Sequence, residues 1–111
     1  MIEKDLASQH CIPCEGNIKP LSREDAETIL VYTPGWTMSD DAKVIARDFV
    51  FKDFKDAMIF VNKVAAIAES EGHHPDIAIV WNKVHLDLTT HAIRGLSHND
   101  FVIAAMVNEL T

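Results

Sequence analysis

Hydrophobic and polar positions fall into short blocks separated by turn residues. Ser22, followed three residues later by Asp25, is an N-cap signature. It predicts a helix to about Val31, beyond which Pro34-Gly35 prevents continuation. Residues 36–39 and 44–51 flank the acidic turn Asp40-Asp41 and hold enough aromatic and β-branched side chains to predict two strands in a hairpin. Asp53 with Asp56 opens the most regular block. Phe54, Ala57, Val61, Val64, Ala65 and Ala68 recur at helical spacing until Gly72 supplies a C-terminal stop. Residues 77–81 and 84–88 are separated by Asn82-Lys83 alone, a connection suited to a tight antiparallel hairpin. In the second of these strands, period-two geometry turns Val84, Leu86 and Leu88 toward a core, and His85, Asp87 and Thr89 away from it. His91 shares the side of the second set if the strand reaches it. Ser97 with Asp100 caps a last helix carrying Phe101, Ala104, Ala105 and Leu110.

The order α-β-β-α-β-β-α predicts an α+β fold, a four-stranded antiparallel sheet with three helices packed on one face. The other face stays open, with Ala78 and Val80 beside His85 and Asp87, and a second subunit is expected to cover part of it. Residues 1–20 combine His10, Cys11, Pro13, Cys14, Gly16 and Pro20 without apolar periodicity. They read as an extended or mobile N-terminal arm ahead of a single domain at 21–111.

Composition narrows the class. Ten basic residues against seventeen acidic ones give a net charge of -7 over 111 residues, with 48% hydrophobic content, as expected for one soluble globular domain. The acidic balance argues against nucleic acid, whose phosphate backbone is bound by clustered Lys and Arg. The longest apolar stretch, 101–107, falls far short of the roughly 20 residues of a membrane-spanning helix. Glu3 and Asp5 stand where a secretory signal places positive charge, so cytoplasmic residence is expected.

The candidate chemistry lies in the histidines. His73 and His74 follow the Gly72 helix stop, and His91 lies at the end of the last strand. The hairpin between them returns the chain toward its starting end, so the His73-His74-Pro75 turn meets His91 in a three-imidazole pocket. Imidazole, with an unperturbed pKa of about 6.5, both donates and accepts protons near neutral pH. His73 sits at the negative end of the preceding helix, where Glu69, four residues earlier, is placed to orient it. Pro75 restricts His74 to extended geometry.

Plainer readings stand beside this one. His10, His85 and His98 read as surface or satisfied polar residues. Capping alone explains Asp100, Glu69 can equally be a solvated helix carboxylate, and Trp81 at an alternating strand position is most simply core. Three imidazoles plus water also describe a catalytic zinc site, although neighbours in an extended chain point apart, so His73 and His74 would converge on one ion only in a distorted turn. Cys11 and Cys14 make half of a four-cysteine site and read as reduced thiols of an unremarkable arm.

At Glu69, His73, His74, Pro75, Trp81, His91 and Asp100 the sequence resembles the pterin-4a-carbinolamine dehydratase family, whose signature runs acidic residue, His-His-Pro, aromatic, His, Asp at this spacing. Asn82-Lys83-Val84, Thr90-His91, Gly95-Leu96-Ser97 and Pro34-Gly35-Trp36 are also similar to the family, from about Leu21 to the C-terminus. The resemblance implies a hydro-lyase that needs no cofactor or metal and dehydrates 4a-hydroxytetrahydropterin to quinonoid dihydropterin. By that resemblance His73 and His91 are the acid and base, and His74, with Pro75 and Trp81, positions the pterin. Glu69 orients His73, and Asp100 braces the His91 loop or caps its helix. It also implies a homodimer or homotetramer and an aromatic amino-acid hydroxylase in the same pathway. The alternatives are a protein-binding module serving as a dimerisation cofactor in transcription and, behind it, a three-histidine zinc hydrolase.

Overall fold

Single side chains start each helix. Ser22 Oγ accepts the Asp25 N–H at 3.1 Å and opens α1 (Arg23–Leu30), while Asp53 Oδ1 accepts the Asp56 N–H at 2.8 Å and opens α2 (Phe54–Glu71). Ser97 and Asp100 form a capping box at the start of α3 (His98–Asn108). The computed structural model describes residues 3–12 and 18–111. Pro13, Cys14 and Gly16 of the sequence-predicted arm lie outside them.

Between the helices run β1 (Thr37–Met38), β2 (Ile45–Val50), β3 (Asp76–Val80) and β4 (Lys83–Leu88). They form one antiparallel sheet in the order β1-β2-β4-β3. The architecture is the expected α+β arrangement of three helices and four strands. The register pairs Ile45 with Leu88 and Phe49 with Val84, so these side chains share the face that meets the helices, and all four are buried. α3 is buried through Phe101, Val102, Ile103, Ala104, Ala105 and Val107, which makes it the central helix. Among the described residues no helix is long and apolar enough to cross a membrane.

The buried stripe of α2 is Ala57, Phe60, Val61, Val64 and Ala68. Phe60 packs at a tilt against Phe49 and Phe51, with ring centroids 4.6 and 5.0 Å apart. Phe54 and Ala65, expected in the stripe, are exposed. At 100° per residue they lie roughly 60–80° from its centre.

The β3–β4 turn also departs from the sequence pattern. Val80 pairs with Lys83, so the two connecting residues are Trp81 and Asn82, one position earlier than predicted. Asn82 is anchored to the end of β2: its Nδ2 donates to Phe51 O at 2.8 Å and its carbonyl accepts the Phe51 N–H at 2.9 Å. Trp81 takes the left-handed position at φ 51° and points outward, 63% exposed, so it is not core.

Residues expected to be an extended arm instead begin with a 3-10 turn, Glu3–Ser8, packed against α3 with Leu6 buried in the main core. Leu6 is the arm's one fully buried apolar side chain among the described residues, with Ala7 and Cys11 packed in part beside it, a pattern without regular period.

On the open face the register places Asp48 and Ala78 on either side of His85. His85 Nδ1 meets Asp48 Oδ1 at 2.5 Å and Nε2 meets Asp87 Oδ1 at 2.8 Å. These two bonds, Asp48 first, raise the pKa of His85 above its ordinary value.

Candidate active site

The site forms where α2 ends, β4 ends and α3 begins. Gly72 adopts the left-handed conformation at φ 67° and its N–H reaches Ala68 O, which closes α2. The His73 N–H bonds the same carbonyl at 3.2 Å, so the chain leaves the helix with His73 turned inward. β3 and β4 then carry the chain out and back, and β4 delivers Thr89, Thr90 and His91 to the same end of the sheet. A 3-10 turn at His91–Ile93 is closed by Arg94 at φ 58° and by the pairing of Thr90 with Gly95.

Between these segments lies a cavity of about 490 Å³, within the usual range for small-molecule sites. His73, His74 and His91 line it with Thr89, Thr90 and Ala92. The three expected imidazoles therefore do share one cleft. Cys11, Ile12, Glu71, Gly72 and Asn99 complete its wall.

The carboxylates are distributed differently from expectation. His73 Nε2 lies 2.6 Å from Asp100 Oδ1, and Asp100 is fully buried. Its other oxygen, Oδ2, accepts the Thr90 hydroxyl at 2.8 Å and the Ser97 N–H at 2.9 Å. Asp100 thus caps α3, braces the residue before His91 and orients His73 at once. The carboxylate accepts from Nε2–H of His73, which leaves Nδ1 as the nitrogen not engaged by Asp100.

Glu69 does not orient His73. It bonds His74 Nε2 at 2.5 Å, in a pair whose side chains are 57% and 78% exposed. Helical spacing would bring residues 69 and 73 together, but the left-handed Gly72 ends the helix between them and rotates His73 away. An ion pair so exposed adds little stability, so its effect is to steer the His74 ring.

Pro75 is buried under the turn and outside the cavity wall. Trp81 lies at the far tip of the hairpin, a five-residue strand or roughly 15 Å away, and does not reach this cavity. The other histidines have local partners: His10 with Glu71 at 2.9 Å, His98 with Gln9 at 2.7 Å, and His85 as above. Among the described residues no three of His, Cys, Asp and Glu are arranged to hold a metal ion. Nε2 of His73 and Nε2 of His74 face different carboxylates. Cys14 lies outside the described residues, so the paired-cysteine reading concerns Cys11 alone here.

Sequence reasoning missed Thr90 as a partner of Asp100, and Glu71, Asn99, Cys11 and Ile12 as wall. Thr90 could have been found from its place beside His91. The others carry no motif.

This arrangement offers imidazoles of differing exposure around a cavity, one held by a buried carboxylate, as acid-base chemistry requires. The family model described as pterin 4 alpha carbinolamine dehydratase matches residues 19–110. A protein of Cupriavidus pinatubonensis, named for pterin-4-alpha-carbinolamine dehydratase, is 49% identical over 110 residues, 99% of this chain and 94% of its own. One of Aromatoleum aromaticum, named for the same enzyme, is 46% identical over 106 residues, 96% of this chain and 95% of its own. A crystal structure from Brucella melitensis, titled transcriptional coactivator/pterin dehydratase, superposes with a TM-score of 0.78 at 32% identity, covering 83% of this chain and 98% of that one. On the match of the family model and of these full-length relatives, the chain belongs to the pterin-4a-carbinolamine dehydratase family of hydro-lyases.

Proposed function

We propose that this protein removes water from 4a-hydroxytetrahydropterin to give quinonoid dihydropterin, recycling a pterin cofactor in the cytoplasm by histidine acid-base catalysis. Residues 21–111 act as a single dehydratase unit. The reaction breaks the C4a–O bond. A proton delivered to the hydroxyl lets it leave as water, loss of the N5 proton supplies the electron pair, and a C4a=N5 double bond forms. Acid and base are returned to their starting states by exchanging protons with solvent.

The observation that carries this reading is the convergence of His73, His74 and His91 on one cavity, with His73 held by buried Asp100. His73 and His91 act as acid and base, and His74, steered by Glu69, hydrogen-bonds the flat ring. Asp100 takes the orienting role on His73. Positioned acid-base groups contribute roughly 10² to 10⁴ in rate, enough for a substrate already primed by its nitrogen lone pair. No cofactor or metal is required.

His73→Ala and His91→Ala should each lower turnover of 4a-hydroxytetrahydropterin, followed by quinonoid dihydropterin absorbance, while His74→Ala mainly raises KM. Wild-type turnover in the His73→Ala/His91→Ala double variant would defeat the assignment. An aromatic amino-acid hydroxylase is the class of enzyme that would supply the substrate. The exposed apolar side chains Val50 and Val80 on the open sheet face support a homodimer or homotetramer, which light scattering tests.

The binding-module reading draws on the same open face and on the coactivator title of the Brucella structure. A folded protein without dehydratase turnover would favour it. A stoichiometric metal, with activity lost to a chelator, would favour the zinc hydrolase.

A further inference from the structure

The arm that precedes the family-model match is bound into the cavity wall. Glu71 Oε1 accepts the Cys11 N–H at 2.8 Å, and Oε2 holds His10 Nδ1 at 2.9 Å. Asn99 clamps the next residue from both sides. Its Oδ1 accepts the Ile12 N–H at 3.0 Å and its Nδ2 donates to Ile12 O at 2.5 Å. The Asn99 residue is 4% exposed and the Glu71 side chain 8%.

The clamped residue is itself unusual. Ile12 is 67% exposed at the cavity wall, although a buried amide fixes its backbone. Ordering a backbone costs conformational entropy, and here it leaves a large apolar side chain in water. A flat ligand in the cavity would remove that side chain from solvent. The lining joins polar groups, Thr89, Thr90 and the imidazoles, to the apolar side chain of Ile12 and to half-buried Cys11, whose Sγ donates to Asn99 O at 3.7 Å. Both clamps adjoin the chemistry in sequence, since Glu71 is two residues before His73 and Asn99 immediately precedes Asp100.

We propose that Ile12 and Cys11 form the apolar wall against which the pterin ring is held, with Glu71 and Asn99 as positioning residues that act through the arm backbone. This rests on the dehydratase reading. The arm contributes ground-state and transition-state binding alike, so its loss raises KM and spares the chemical step.

The test is steady-state dehydration of 4a-hydroxytetrahydropterin by the full chain and its variants, each checked for fold by circular dichroism. Ile12→Ala and Glu71→Ala should raise KM roughly five- to tenfold, the scale of one lost methylene contact, with kcat within about twofold. Glu71→Gln keeps an oxygen for the Cys11 N–H and should recover most of the KM, which a merely structural loss would not predict. An active wild type with KM unchanged in both alanine variants, or with kcat falling instead, would overturn the wall. An inactive wild type would overturn the dehydratase reading itself.

Discussion

Replacing Asp100 with Asn changes one atom at the point where three groups meet. The carboxylate accepts from His73 Nε2 on one oxygen and from Thr90 Oγ1 and Ser97 N on the other. Asparagine has a single oxygen, and the Ser97 N–H and the Thr90 hydroxyl keep it, because both lie on the same side. Its NH₂ group then faces His73 Nε2. Two donors cannot bond, so His73 must move its proton to Nδ1 or withdraw from the contact. A buried hydrogen bond to a charged group is worth about 1.5–3 kcal/mol, and the fully buried site admits little water in compensation. Asp100→Asn should therefore lower the free energy of unfolding in urea by about 2 kcal/mol while the fold persists. On the proposed mechanism the catalytic consequence is larger, because the His73 nitrogen that would face the substrate changes its protonation. Turnover should fall by roughly 10² or more, the scale of a lost general acid or base. If Asp100 acts through His73 as proposed, adding Asp100→Asn to His73→Ala should cause little further loss of turnover. Turnover within a few-fold of wild type, beside the expected loss of stability, would reduce Asp100 to a helix cap and refute the coupling to His73.

Two further expectations concern stability. His85 has its pKa raised by bonds to Asp48 and then Asp87, so its protonated form is the one the folded state favours. That stabilisation is fully present below the unfolded pKa of about 6.5 and is lost as pH rises through the higher folded value. The Tm difference between wild type and His85→Gln should accordingly be largest near pH 6 and shrink in alkali, and a difference that stays flat into alkali would refute it. Leu6→Ala removes a side chain only 1% exposed and should cost about 2–3 kcal/mol in urea unfolding. A loss below about 0.5 kcal/mol would mean that the arm adds nothing to the core.

What could be read from the chain, and what could not, divides along a physical line. Ser22, Asp53, Ser97 and Gly72 each decide one or two hydrogen bonds within a single turn, and all four ends form where these residues place them, the first three as N-caps and Gly72 through its left-handed backbone. Alternation along β4 is equally local, and Val84, Leu86 and Leu88 are buried as it requires. The pattern alone misplaces Trp81 because a turn one residue earlier satisfies the same alternation, and the choice is made by Asn82 bonding to Phe51 just past the end of β2.

The pairing of carboxylates with imidazoles failed for a sharper reason. Helical spacing joins Glu69 to His73 only while the helix lasts, and the residue that marks its end, Gly72, also swings His73 inward and leaves His74 to Glu69. The capping signature at Asp100 is visible in the sequence, where it competes with a role in the site. In the fold the two are one: the cap and Thr90 occupy Oδ2, which leaves Oδ1 free to point at His73. A helix start that consumes half of a carboxylate is what aims the other half. Capping, far from explaining Asp100 away, is thus the device that holds a charged group, buried and correctly turned, beneath the imidazole.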